Sequence, residues 1–424
     1  MSFLSRARSS RRISDHRNDA LTKLGTNTCR NKARGRKALL VLAFCLACLI
    51  HAEVRAPANL DASSWILIDY PNGTVLYERN ADKIIPPASL TKLMTLHLAY
   101  KAIEQGIITR ETLVNILPRQ TAGNIPYGSS LMYLEPGYKI RFIDLMKGAA
   151  IPSGNDACYV IAEVLAGSVE RFAQLMNKEA RDLGFTRLSF IEPTGLSELN
   201  TSTARELANF ALYYIQAHPS ALKELHSIPY TEVTMYGSGK SKVLGLKSTN
   251  DLLSSFPGCD GLKTGYIRES GYNFITTAQR GSTRFILVTM GGIQGTQGRS
   301  RTGAAILDWA FDTWETIEFP RERLGKVRIW FGKDSWLEPV MQKSDYITFE
   351  KKYRDTLTFK LVFDEISAPV EKGKQVGKLL LLSGNDIIEN LPLFADKDIP
   401  RGNVFIRVRD FFSRLLKRIF TPKA

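Results

Sequence analysis

The chain reads as an α+β domain over residues 61–318, then a small all-β domain over 319–400 and an amphipathic helix over 403–420. Three observations predict this order. Short β-prone runs open and close the first region around a long helical middle. Short alternating segments broken by Gly, Pro and Asp fill the second. Apolar residues at helical spacing fill the third.

The elements follow from local sequence. Residues 65–70 are apolar and β-prone, Pro71-Asn72-Gly73 is a turn signal, and 74–77 returns as the second arm of a hairpin. Pro86-Pro87 ends extended structure, and a helix is expected to open at Ser89 and run to Tyr100. Residues 140–183 are largely helical in pattern, and 207–216 form another helix. Residues 272–277 and 285–290 read as neighbouring strands, and 300–314 as a closing helix. Beyond Glu318-Phe-Pro320 the segments 327–331, 346–349, 357–363 and 379–382 read as strands of a second domain that carries no catalytic constellation. In the tail Val404, Val408, Phe411, Phe412, Leu415 and Ile419 share one helical face. Arg407, Asp410, Arg414, Lys417 and Arg418 lie largely off it. Such a helix either lies in a membrane surface or packs on the protein's own core; its basic, Phe-rich, terminal character favours the membrane.

Charge narrows the partners. The net charge is +15 over 424 residues, but residues 1–52 hold eleven Lys/Arg against two Asp/Glu, and residues 401–424 hold seven against one. The two ends carry the whole excess, so the body is neutral and no nucleic-acid partner is expected. The first end resembles an export segment: a long basic region followed by thirteen uncharged apolar residues, 38–50, and small residues at Ala52 and Ala56. That run is shorter than the roughly 20 residues of a spanning helix, which favours a removed signal peptide over a retained anchor. The protein is therefore expected to be exported and to sit peripherally on a membrane. Cys29, Cys45 and Cys48 fall within that segment. Cys158 and Cys259 remain, either as two buried thiols or as a bridge, with thiols favoured. No Cys/His cluster has metal-ligand spacing, so neither a metal nor a cofactor is expected.

Three short motifs occur in order: Ser89-Leu-Thr-Lys92, Ser153-Gly-Asn155 and Lys263-Thr-Gly265. Singly they are weak. Ser-x-x-Lys is expected by chance about once or twice in such a chain, and Ser220-Ala-Leu-Lys223 is a second match. Ser248-Thr-Asn250 and Ser383-Gly-Asn385 likewise repeat the second motif. The ordered set is the signal, with the first motif opening a helix and the third entering a strand. The chemistry explains it. A serine hydroxyl is a poor nucleophile until a base takes its proton. A lysine three residues on shares its helical face, and burial and a second cation depress its pKa so that it can accept that proton. Lys263 can be that cation and can hold a substrate carboxylate, with Thr264 hydrogen-bonding it. Ser153 can relay a proton to the leaving amine, and Asn155 can orient Lys92 and hold the substrate amide.

The motif set resembles that of the penicillin-binding and serine β-lactamase superfamily. The wider text is most similar to low-molecular-mass D-alanyl-D-alanine carboxypeptidases. Segments 87–95, 153–158 and 260–266 carry the resemblance, together with Gly195-Leu196 and Ser202-Thr-Ala204. It implies a β-lactamase/transpeptidase-like fold, an antiparallel sheet with a helical cluster. It also implies a covalent acyl-enzyme on Ser89, Lys92 as proton acceptor, Ser153 in proton transfer and Lys263, Thr264 and Gly265 at the substrate. The N–H groups of Ser89 and Tyr266 would hold the oxyanion. The implied reaction removes the terminal D-Ala from peptidoglycan stem pentapeptides, with β-lactam antibiotics as covalent inhibitors. The resemblance further implies a periplasmic location on the cytoplasmic membrane. D,D-endopeptidase, transpeptidase and β-lactamase activities use the same residues, and a non-catalytic cell-wall binding module is the alternative from another class. Two positions depart from the family. Ile267 stands where a threonine is common, and Glu192 stands where an amide is common; Glu192 is either a loop residue or a deacylating carboxylate. Arg299 and Arg301 are each either a contact for the substrate carboxylate or a surface charge.

Overall fold

The computed structural model describes residues 54–420, with side chains through 416. The export segment expected over residues 1–52 and the side chains of Lys417, Arg418 and Ile419 lie outside the described residues. No helix among the described residues is long and apolar enough to cross a membrane.

The first region is built on a five-stranded antiparallel sheet in the order β2-β1-β9-β8-β7. Its strands are β1 (Ser64–Asp69), β2 (Val75–Arg79), β7 (Cys259–Ile267), β8 (Gly271–Arg280) and β9 (Thr283–Gly292). The hairpin around Pro71-Asn72-Gly73 forms as its sequence predicts, and the two late strands pair as neighbours. Side chains alternate across a strand, and here both faces are covered. Ile66, Ile68, Ile286, Val288 and Met290 join the core of a helical cluster. On the other face Trp65 meets Trp309, and Phe285 meets Phe311 at 4.9 Å, both on the helix Gly295–Thr313. That helix starts five residues before its sequence-based boundary, because the buried Asp61 carboxylate accepts the N–H groups of Ile293 and Gln294 at its entrance, 2.8 Å each.

The helical middle comprises Phe142–Ala150, Asn155–Ala166 and Val169–Asp182, and Ala204–Ala217 completes the cluster. At its centre lies Lys92–Glu104, in which nine of thirteen residues are buried. A helix covered on nearly every side belongs inside a domain. The helix does not open at Ser89: residues Ala88–Thr91 form a 3₁₀ turn, and Lys92 is the first α-helical residue. A second sheet, in the order β3 (Leu113–Asn115), β4 (Lys139–Arg141), β5 (Tyr230–Gly237) and β6 (Lys240–Lys247), was not anticipated. Its main hairpin joins β5 to β6, in which Thr, Glu, Lys and Ser interrupt the apolar residues and leave no continuous apolar run to mark a strand.

Beyond β10 (Trp314–Glu318) the chain is almost wholly β. Trp314–Glu318 pairs with Tyr346–Glu350; Val327–Trp330 lies between Trp336–Leu337 and Ile366–Ser367; and Pro339–Met341, Asp386–Ala395, Gln375–Ser383 and Leu357–Phe363 form a four-stranded sheet in that order, around cores containing Val327, Ile329, Leu379 and Leu381. Thr348 donates to Asp69 at 2.9 Å and Asn72 donates to the Tyr346 carbonyl at 2.8 Å, so this region rests on the β1–β2 hairpin. The final helix, Val404–Phe420, is tied to it by polar contacts: Arg414 donates to Glu365 at 2.7 Å, Arg409 donates to Ser335 at 3.1 Å, and an acid holds its inner face. The fully buried Asp410 carboxylate accepts from Arg328 at 2.9 Å and from the Phe331 N–H at 2.8 Å. Val404, Phe405, Val408, Phe411, Phe412 and Leu415 stay exposed.

Candidate active site

A cleft of about 840 Å³ lies along the free edge of β7 and is lined by Ser89, Ser153, Asn155, Thr264, Gly265 and Tyr266 among others. No residue from the β region contributes to it. All three motifs therefore meet in one place. The second Ser-x-x-Lys does not: Ser220 and Lys223 are exposed, before and within a π-helical turn.

The nucleophile turn is held from two sides. Ala88 has φ +51°, a left-handed conformation uncommon outside glycine. Gly195 packs directly beneath it: a Cβ there would stand 1.8 Å from the Ala88 carbonyl oxygen, and its own φ is +85°. Gly265 of β7 covers the other side, where a Cβ would meet the Pro87 carbonyl and the Ser89 nitrogen at 3.0 Å. The two glycines thus let a loop and a strand close on the Ser89 backbone.

Lys92 is fully buried, and its Nζ lies 2.7 Å from each of Ser89 Oγ, Asn155 Oδ1 and the Thr194 carbonyl oxygen. The last two can only accept, so a neutral amine spends its two N–H groups on them and aims its lone pair at the Ser89 hydroxyl. Burial pushes the Lys92 pKa down, which favours that neutral form. Lys263, also fully buried, is pushed well below the usual lysine range by burial above all, with the Arg299 guanidinium adding to it. Cys158 lies close by, but burial raises its thiol to about 12, so it packs as a neutral group. Cys259 is also a free thiol, only partly buried.

Ser153 has φ +66°, and its buried hydroxyl has no hydrogen-bond partner among the described residues. A strained residue with an unspent hydroxyl in a cleft is a functional signature. On β7, the Leu262 carbonyl accepts from His226 Nδ1 at 2.9 Å and the Thr264 carbonyl accepts from Lys263 Nζ at 3.0 Å, so both point off the free edge. Backbone groups alternate along a strand, so the Tyr266 N–H faces the cleft as well. Ile267 is buried beside it, an apolar side chain where the family commonly has threonine.

Several groups here were not singled out by sequence, or were left between two readings. Glu192 accepts from the Thr194 N–H at 2.7 Å, the Gly195 N–H at 2.6 Å and Asn200 at 2.9 Å. Its lone pairs clamp the loop that supplies the Thr194 carbonyl and Gly195, so the loop reading holds. Asp156 accepts the N–H groups of Met132 and Leu134, fixing the wall of the cleft beside Ser130. Arg299 lies inside its helix, buried, donating to the Thr249 carbonyl at 2.8 Å while its Nε has no partner among the described residues. Thr249 Oγ1 in turn meets Thr264 Oγ1 at 2.6 Å. Arg301 is exposed and bonds Gln294. A buried arginine in a sheet-flanking helix leaves no motif, which is why two arginines stood equal in the sequence.

Residues 51–294 match the family described as D-alanyl-D-alanine carboxypeptidase, Peptidase_S11, and residues 319–401 match that described as penicillin-binding protein 5, C-terminal domain. The D-alanyl-D-alanine carboxypeptidase DacF of Bacillus subtilis is 31% identical over 379 residues, 86% of this chain and 93% of its own. DacC of Escherichia coli is 33% identical over 365 residues, 84% of this chain and 89% of its own. Among solved structures, penicillin binding protein 5 from Haemophilus influenzae superimposes with a TM-score of 0.72 at 27% identity, covering 82% of this chain and 100% of its own. With its sequence, its fold and its three converging motifs in agreement, this chain belongs to the peptidase S11 family of D-alanyl-D-alanine carboxypeptidases.

Proposed function

We propose that the protein removes the terminal D-Ala of peptidoglycan stem pentapeptides through an acyl-enzyme on Ser89. The observation that carries this reading is the neutral-lysine geometry: two obligate acceptors consume the N–H groups of Lys92 and leave its lone pair for Ser89. Ser89 Oγ attacks the penultimate carbonyl as its proton passes to Lys92 Nζ. The N–H groups of Ser89 and Tyr266 hold the oxyanion, where a single donor is worth about 100-fold or more in rate. Ser153 passes a proton to the departing D-Ala nitrogen, and Asn155 holds Lys92 and the substrate amide. The D-Ala carboxylate lies toward Lys263, Thr264 and Arg299, whose unpaired Nε supports this placement. Water then releases the shortened peptide. β-Lactams acylate the same serine; the related penicillin-binding protein D2 from Listeria monocytogenes has been solved in its ampicillin-bound form. The test is incubation with a D-Ala-D-Ala pentapeptide, with and without an amine acceptor. Free D-Ala alone is expected; a cross-linked product would make the protein a transpeptidase, and no turnover a binding module.

The domain division at 61–318 and 319–400 is part of the same reading, supported by the cleft's confinement to the first. Export through residues 1–52, and peripheral attachment on the periplasmic side through the final helix, complete it. The exposed Phe405, Phe411 and Phe412 support the attachment. Deleting residues 403–424 is expected to release the exported protein from membranes with D-Ala release unchanged. A truncated protein that still sediments with membranes would move the anchor to the N-terminal segment.

A further inference from the structure

The two ends of the cleft differ in how their charges are spent. At the Thr264 end, Arg299 lies 3.8 Å from Asp251 and donates to the Thr249 carbonyl. At the other end, the turn between β7 and β8 carries Arg268 and Glu269. Both line the cleft, both are exposed, and neither has an ion pair or hydrogen bond among the described residues. The same short turn thus presents one free cation and one free anion beside the exposed Tyr266.

The direction of the cleft says what reaches them. An extended peptide can add to the free edge of β7. With its C-terminal carboxylate at Thr264 and its reacting carbonyl between Ser89 and Tyr266, it runs antiparallel to β7. Its upstream residues then pass Ile267 and arrive at the turn. One residue along a strand covers about 3.3 Å, so the residue just before the reacting D-Ala lies beside Arg268 and Glu269. We infer that Arg268 and Glu269 form a subsite for the third residue of the stem peptide, selecting a side chain that carries an ammonium and a carboxylate together. A diamino dicarboxylic acid fits: Glu269 takes its ammonium and Arg268 its carboxylate. A diamino monocarboxylic side chain, with an ammonium alone, satisfies Glu269 and leaves Arg268 unpaired. This rests on the carboxypeptidase reading for the direction of the peptide.

The test uses the full chain and three pentapeptides that differ only at the third residue: meso-diaminopimelate, lysine and norleucine. Exposed charge pairs of this kind are worth about two- to fivefold each. The expected kcat/KM order for D-Ala release is diaminopimelate, then lysine, then norleucine, with steps of that size. Arg268→Gln should erase the first step. Glu269→Gln should bring the lysine peptide down to the norleucine level. Neither should change the norleucine peptide or the rate of penicillin acylation. Equal turnover of all three peptides by the unmodified protein, or variants that slow norleucine as much as diaminopimelate, would overturn the subsite. If no peptide releases D-Ala, it is the carboxypeptidase reading that fails. The subsite is then decided by how well each peptide protects Ser89 from fluorescent penicillin: the same order supports it and equal protection refutes it.

Discussion

Ser89 and Ser220 each stand three residues before a lysine and shortly after a proline, yet the chain puts them in opposite environments. Ser89 lies in a turn gripped by Gly195 and Gly265, and Lys92 heads a helix buried on nearly every side. Ser220 is exposed, and Lys223 projects to solvent from a π-helical turn. A lysine in water keeps its proton at neutral pH and cannot serve as a base. The spacing is the same in both; the burial that changes the lysine's charge is supplied from far along the chain by Asn155 and Thr194.

The largest expected effect tests this contrast directly. Ser89→Ala should abolish covalent labelling by fluorescent penicillin, and Ser220→Ala should leave it intact. Lys92→Arg should cut labelling by about 100-fold or more, since a guanidinium stays protonated, whereas Lys223→Arg should change nothing. Labelling that survives Ser89→Ala would dissolve the comparison.

The second effect concerns what supports the nucleophile. Gly195→Ala places a methyl group 1.8 Å from the Ala88 oxygen at a φ that L-residues avoid, so the Ser89 turn must shift. A displacement near 1 Å at a reacting group costs about 100-fold. Acylation should fall by that order while the circular dichroism of the folded protein is retained. Near-normal acylation would mean that the turn holds its geometry without the loop beneath it.

What sequence made legible divides along the same line. Ser89, Lys92, Ser153, Asn155 and Lys263 were readable because a reaction ties their types to short spacings. The roles of Glu192, Asp156 and Thr194 were not, because they act through backbone contacts formed only on folding, and neither a Glu in a loop nor an Asp in the first turn of a helix announces such a contact. Thr194 contributes a carbonyl oxygen, which any residue type offers. The tail was legible as amphipathic, but not that its single acid, Asp410, would be the buried anchor to Arg328 and Phe331. The β5–β6 hairpin escaped because Thr, Glu, Lys and Ser interrupt its apolar residues and leave no continuous run.

The smallest effect shows that the Ser220 segment has structural work, though no chemistry. Its π-helical turn ends at His226, which is fully buried behind β7. The Leu262 carbonyl can only accept, so Nδ1–H donates to it, and Nε2 accepts from the Tyr214 hydroxyl at 2.9 Å. The ring is therefore neutral and braces the residue next to Lys263. Burial holds its pKa down to about 3, against about 6.5 in an unfolded chain. Between those values the unfolded chain binds a proton that the native chain refuses, so native stability rises with pH across this window and falls on acidification. The slope from this group is about 1.4 kcal/mol per pH unit below 6.5; His97 and His218, also lowered by burial, steepen it. His226→Asn keeps a donor for the Leu262 carbonyl but cannot take up the proton. Its unfolding free energy should depend less on pH from 6 down to 4, with penicillin acylation at pH 7 reduced only a few-fold. A slope equal to that of the unmodified protein would show that His226 is already free to protonate in the native state, and that the second Ser-x-x-Lys segment does not brace the strand of Lys263.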